Sequence, residues 1–105
     1  MQVLNTTTNQ AENINIVVNG IDNFADLAQI ATNNDFTRND DGDYQADAET
    51  IAWWQAKADE YQEMYELIDE LKPNHDERVQ QILNDAQGYE FNDYPSYVIS
   101  ELKAI

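Results

Sequence analysis

Residues 47–73 read DAETIAWWQAKADEYQEMYELIDELKP, and the rest of the chain has to be fitted around them. Asp47 is a good N-cap, nothing from 48 to 72 breaks a helix, and Pro73 cannot continue one. The spacing therefore predicts a helix from about Ala48 to Lys72. At ~100° per residue, Ile51, Trp54, Ala58, Tyr61, Tyr65 and Ile68 form one stripe, with Trp53, Met64, Leu67 and Leu71 beside it. Apolar residues thus cover about half the circumference, the pattern of a helix gripped on two sides and central to its domain. Both tryptophans are expected in the core.

The opposite face is unusual. Asp59, Glu63, Glu66 and Glu70 fall within an arc of roughly 60°, flanked by Glu60 and Asp69. Asp59–Glu63 and Glu66–Glu70 are i,i+4 pairs and Glu63–Glu66 is an i,i+3 pair, all repulsive. Interleaved lysines would have gained roughly 0.2–0.5 kcal/mol per pair, and like charges lose similar amounts. Lys57 lies on the apolar flank, where its stem can snorkel without neutralising the acids. Local stability does not account for this face.

Outward from the helix, Phe36-Thr37-Arg38 and Asp43-Tyr44-Gln45 flank Asn39-Asp40-Asp41-Gly42, a β-hairpin signature with glycine at the left-handed position. Before it, Asn13 to Val18 alternates apolar and amide residues and meets Asn19-Gly20, which predicts a strand and a turn. Asp22 or Asn23 can cap a helix with Phe24, Leu27, Ala28 and Ala31 inward, ended by Asn33-Asn34. Gln2-Val3-Leu4 could add a short edge strand, with flexibility expected mainly in the first dozen residues. After Pro73, Asn74-His75-Asp76-Glu77 resembles a capping box opening a helix with Val79, Ile82, Leu83 and Ala86 inward, closed by Gly88. Asp93-Tyr94-Pro95 starts a last helix with Tyr94, Val98, Leu102 and Ile105 on one face. The expected fold is α+β, a small antiparallel sheet covered by helices in the order β-α-β-β-α-α-α, in one domain over residues 1–105.

The whole chain has 105 residues, with 21 Asp and Glu against 5 Lys and Arg, for a formal charge of −16. A direct nucleic-acid binder or an adhesin for anionic lipid needs the reverse balance. Aromatic residues make up 10% of the chain at regular spacing, which argues for a folded rather than a disordered acidic protein. No cysteine and a single histidine, His75, leave no thiol chemistry and no multi-histidine metal centre. The N-terminus lacks the basic start and apolar stretch of a secretory signal, and no apolar run reaches the roughly 20 residues of a membrane span. The expectation is a soluble cytoplasmic protein.

The motif Asn39-Asp40-Asp41-Gly42-Asp43 suggests a calcium loop. Placing Gly42 sixth, however, puts Thr37 first and Ala48 twelfth, where an EF-hand needs carboxylates. No metal, no cofactor and no enzymatic activity are expected. The acids that stand out as a candidate partner-binding surface are Asp40, Asp41, Asp43, Asp47 and Glu49, with Asp59, Glu60, Glu63, Glu66, Asp69 and Glu70. The stripe acids step by roughly 4.5–6 Å at ~1.5 Å per residue, sparser than the ~3.4 Å between phosphates of one DNA strand. The 40–49 group, with Asp76 and Glu77, could supply a second row.

Small size, extreme acidity, absence of cysteine and an acid-striped helix resemble the DNA-mimic inhibitors of phages and mobile elements, the antirestriction and anti-CRISPR proteins among them. The segment Ala48 to Tyr61, with its Trp53-Trp54 pair, also looks like the Trp-Trp helix of small acidic phage proteins, a likeness covering about half the chain. The resemblance implies a partner with a basic nucleic-acid groove. A CRISPR effector is ranked first, then a restriction enzyme or similar protein, blocked by competition, with the inhibitor a monomer or homodimer. The competing expectation is an acidic adaptor that binds a partner through an apolar patch.

Overall fold

The computed structural model describes residues 1–16 and 27–105. The chain forms two compact units, Met1–Ala58 and Asp59–Ile105, and the class is α+β.

The first unit holds a four-stranded sheet. Strands β1 (Gln2–Asn5) and β2 (Gln10–Asn13) form an antiparallel hairpin with Gln2 opposite Asn13. The turn is built by Asn5, whose side-chain oxygen accepts the N–H groups of Thr7 and Thr8, while Asn9 N–H donates to Asn5 O. Asn9 takes a positive φ of 61°, a conformation asparagine tolerates better than most residues. Asn5 is a buried polar residue, and its amide donates to Glu12, so its desolvation is compensated. Strands β3 (Thr37–Arg38) and β4 (Tyr44–Ala46) make the hairpin expected from the Asn39–Gly42 turn, and Gly42 has φ 84°.

The sheet differs from the expectation in two ways. Its order is β2-β1-β4-β3, so β1 lies inside the sheet rather than at its edge. Its pairing with β4 is parallel, Leu4 beside Gln45 and Asn5 beside Ala46, which makes the sheet mixed rather than antiparallel. Parallel neighbours cannot be joined by a tight turn; here β2, helix α1 (Leu27–Asn34) and β3 lie between them in sequence. Of the strand expected over 13–18, Asn13 closes the β1–β2 ladder, and Ile14 and Ile16 keep the alternation by being buried around an exposed Asn15. Val17, Val18, the Asn19-Gly20 turn, both candidate caps and Phe24 lie outside the described residues.

Helix α1 spans Leu27–Asn34 and buries Leu27 and Ala31. It ends at Asn34 as expected; Asp35 and Phe36 N–H both donate to Ala31 O, and the Asn34 amide donates to Ile30 O. Helix α2 spans Ala48–Asp85 as two helical segments that meet at a kink at His75. Asp47 caps it, its carboxylate accepting Thr50 N–H at 2.8 Å. This bond to the Thr50 pair of donors holds the Asp47 carboxyl below its ordinary value.

The two segments meet close to the expected boundary. The backbone leaves helical geometry at His75 (φ −137°, ψ 35°), two residues past Pro73. The break expected at Pro73 is displaced by two residues, and a second helical segment follows it, as the Asn74–Glu77 pattern implies. Beyond the kink Val79, Ile82 and Ala86 are buried as expected, with Leu83 half-buried.

A 3-10 turn at Ala86–Gly88 leads to helix α3, Tyr94–Lys103. Tyr94, Val98 and Leu102 are buried, with Pro95 and Ile99. Ile105 is exposed, because the helix stops at Lys103 and the inward periodicity stops with it. In the second unit the buried Tyr61 hydroxyl donates to Phe91 O at 2.5 Å. Burial, with Tyr65, Tyr94 and Glu60 nearby, pushes its ionisation well above the ordinary value of 10.0.

Candidate functional site

The acids singled out by the sequence divide between the two units. In the first, Asp40, Asp41 and Asp43 are exposed on the β3–β4 turn. Their backbone is held by Asn39, whose side-chain oxygen accepts the N–H groups of Asp41 and Asp43 at 3.0 Å. Arg38 lies under the same turn, donating to Gly42 O and the Tyr44 hydroxyl with its guanidinium 4.6 Å from the Tyr44 ring. Asp47 is committed to the cap, and Glu49 is exposed in the first turn of α2.

In the second unit Asp59, Glu63, Glu66, Asp69 and Glu70 are exposed and Glu60 is half-buried. Tyr61 and Met64 are buried on the other side of the same turns, so helix geometry alone delivers the carboxylates to water. Along Asp59–Glu70 the helix carries six acids and no base. Gln62 donates to Glu66 at 3.3 Å. The stripe is not wholly uncompensated: Lys103, at the end of α3, lies 3.1 Å from the Glu63 carboxylate. Both side chains are about half exposed, so this pair is worth little to stability. Arg78, beyond the kink, pairs with Glu101 of α3 at 3.6 Å. A cation forty residues away in sequence leaves no local signal, so neither pairing was legible in the helix pattern.

The tryptophans separate. Trp54 is buried, its indole N–H donating to Asp35 at 2.6 Å and its ring edge-on to Phe36. Trp53, expected in the core, is 42% exposed. A helix can turn only one of two adjacent residues fully inward, and Trp54 holds the central angle. The Lys57 ammonium lies 5.5 Å from the Trp53 ring centroid, in keeping with its snorkelling position.

Among the described residues no group of three or more His, Asp and Glu is placed to hold a metal ion. No described helix is long and apolar enough to cross a membrane. No protein-family model matches the chain, and comparisons with curated proteins and with solved structures give no match.

Proposed function

We propose that this protein is an acidic inhibitor that occupies the groove of a nucleic-acid-binding protein, presenting carboxylates where that groove receives phosphates. The observation that carries the reading is the run from Asp59 to Glu70, six acids on just over three turns, five of them exposed, with Lys103 beside one of them. Such a surface costs the free protein a few tenths of a kcal/mol per like-charged pair, and a basic partner would recover it. Complementary fields also speed encounter and select partners with basic grooves. The mechanism is occupancy, without catalysis or cofactor. Its target class is a CRISPR effector's DNA channel first, and a restriction enzyme or other DNA-binding protein next, in the cytoplasm of the cell.

The test is order of addition. A guide-loaded CRISPR effector is mixed with this protein before or after target DNA, and DNA binding is followed by gel shift at two ionic strengths. The reading expects block of DNA loading when the protein is added first, little effect when DNA is already engaged, and steep loss of the block with added salt. A stable complex of all three components, or binding indifferent to salt, would overturn it for that target. Salt-tolerant binding with DNA still able to load is the pattern of an adaptor. A restriction enzyme run through the same protocol tests the next target.

A further inference from the structure

The first two turns of α2 form a corner that the acidic stripe does not explain. Asp35, Glu49, Thr50, Trp53 and Trp54 line a surface cavity of about 240 Å³, all within the first unit. The two indoles meet edge to face, centroids 4.8 Å apart at 78°. Trp54 is buried and packed on Phe36, and its N–H holds the Asp35 carboxylate at 2.6 Å. One wall and one carboxylate are therefore fixed in place by the core. Trp53 supplies a second, solvent-facing wall.

The volume falls below the ~300–1,000 Å³ of pockets for drug-sized ligands, which suits a single side chain better than a small molecule. Indole faces attract cations and carboxylates accept their hydrogens, and Lys57 beside Trp53 already uses that attraction within the chain. A planar guanidinium satisfies both walls, stacking on an indole while its N–H fork reaches a carboxylate; an ammonium can do only the first part well. The partial positive charge of the α2 N-terminus opposes a cation here, and Asp47 and Glu49 in that first turn offset it.

We propose that this cavity takes an arginine side chain from a basic partner, its guanidinium against Trp53 and its N–H groups toward Asp35 and Glu49. That the arginine belongs to a nucleic-acid-binding protein rests on the proposed function; that the cavity selects guanidinium does not. The contact would give the inhibitor an aromatic anchor that a phosphate backbone does not offer its reader.

The chain has two tryptophans, so its two indole N–H signals report on the cavity by NMR. The full-length labelled protein is titrated with N-acetyl-arginine amide and, separately, with N-acetyl-citrulline amide, a neutral compound of nearly the same shape. Saturable shifts of both indoles with the arginine compound alone are expected. Affinity should fall about tenfold in Trp53→Ala, read from the Trp54 signal, and several-fold in Glu49→Gln, which leaves the aromatic packing untouched. Equal shifts with citrulline, shifts that never saturate, or insensitivity to both substitutions would overturn the proposal. A Glu66→Gln/Glu70→Gln double variant should bind arginine amide normally while losing its hold on a basic groove. Normal arginine binding in a protein that blocks no DNA-binding protein would therefore sink the groove reading and leave the cavity standing.

Discussion

Two stretches of helix, Ala48–Ala58 in the first unit and Asp59–Glu70 in the second, each bury one side, and they differ in the charge of the other. Inward, Ile51, Trp54 and Ala58 in the first and Tyr61 and Met64 in the second are all buried. Outward, the first presents Ala52, Trp53, Gln55 and Ala56, with Glu49 at its start, whereas the second presents Asp59, Glu63, Glu66, Asp69 and Glu70. Packing requires the inward pattern in both. It requires nothing of the outward one, so the abrupt change in charge at Asp59 points to something outside the fold. That contrast is why the stripe, rather than total acidity, supports a charge-presenting role.

The contrast breaks most visibly at the adjacent tryptophans. Trp54→Ala removes a buried indole and should cost about 3–5 kcal/mol, a large part of the roughly 5–15 kcal/mol of a typical domain. Trp53→Ala should stay within about 1 kcal/mol, because its ring is already partly hydrated. Thermal melting of the two variants measures the difference; similar losses would place both rings in the core after all.

A smaller effect belongs to Tyr61 on the inward side of the second stretch. Tyr61→Phe should cost about 1 kcal/mol by removing the bond to Phe91 O. Because the folded state raises this phenol's pKa above 10.0, its contribution is intact below pH 10 and is lost as pH rises through the folded value. Urea midpoints measured above pH 10 should therefore fall less steeply in Tyr61→Phe than in the wild type.

Asp47, which starts the first stretch, works in the other direction. Its carboxyl is lowered by the bonds to Thr50, so its contribution is present above about pH 4 and disappears as pH falls through the lower, folded value. Hydrogen exchange at Thr50 should quicken through that acidic window, and Asp47→Ala should show the quick exchange already at neutral pH.

The smallest change in stability is expected on the outward face. Glu63→Gln with Glu66→Gln relieves repulsion and loses the exposed pair to Lys103, a net change of at most a few tenths of a kcal/mol. Helical circular dichroism should be unchanged while binding to a basic groove weakens. Loss of helix in this variant would mean that these carboxylates hold the fold together, and the comparison of the two stretches would lose its functional meaning.

The features legible in the sequence are those set by neighbours along the chain. The Asp47 cap, the helical periodicity through Met64, the Gly42 turn and the hairpin around it, the end of α1 at Asn34 and the exposure of the acidic stripe all follow from dihedral preferences and from the 3.6-residue repeat. The tertiary structure decided what depends on residues far apart. It placed Gln2–Asn5 inside the sheet and parallel to β4, because backbone pairing is blind to side-chain type and many registers satisfy one alternating pattern. It set the break between the two segments of α2 at His75, two residues past Pro73, because a proline ends or kinks a helix without fixing the residue at which the backbone departs. It turned Trp54 onto Phe36 and Asp35 while leaving Trp53 at the surface, and it brought Lys103 to Glu63. Local propensities are summed over a few residues and can be read in order. Contacts between residues nineteen or forty positions apart exist only once the chain has closed the loops between them, and that closure is a property of the whole fold.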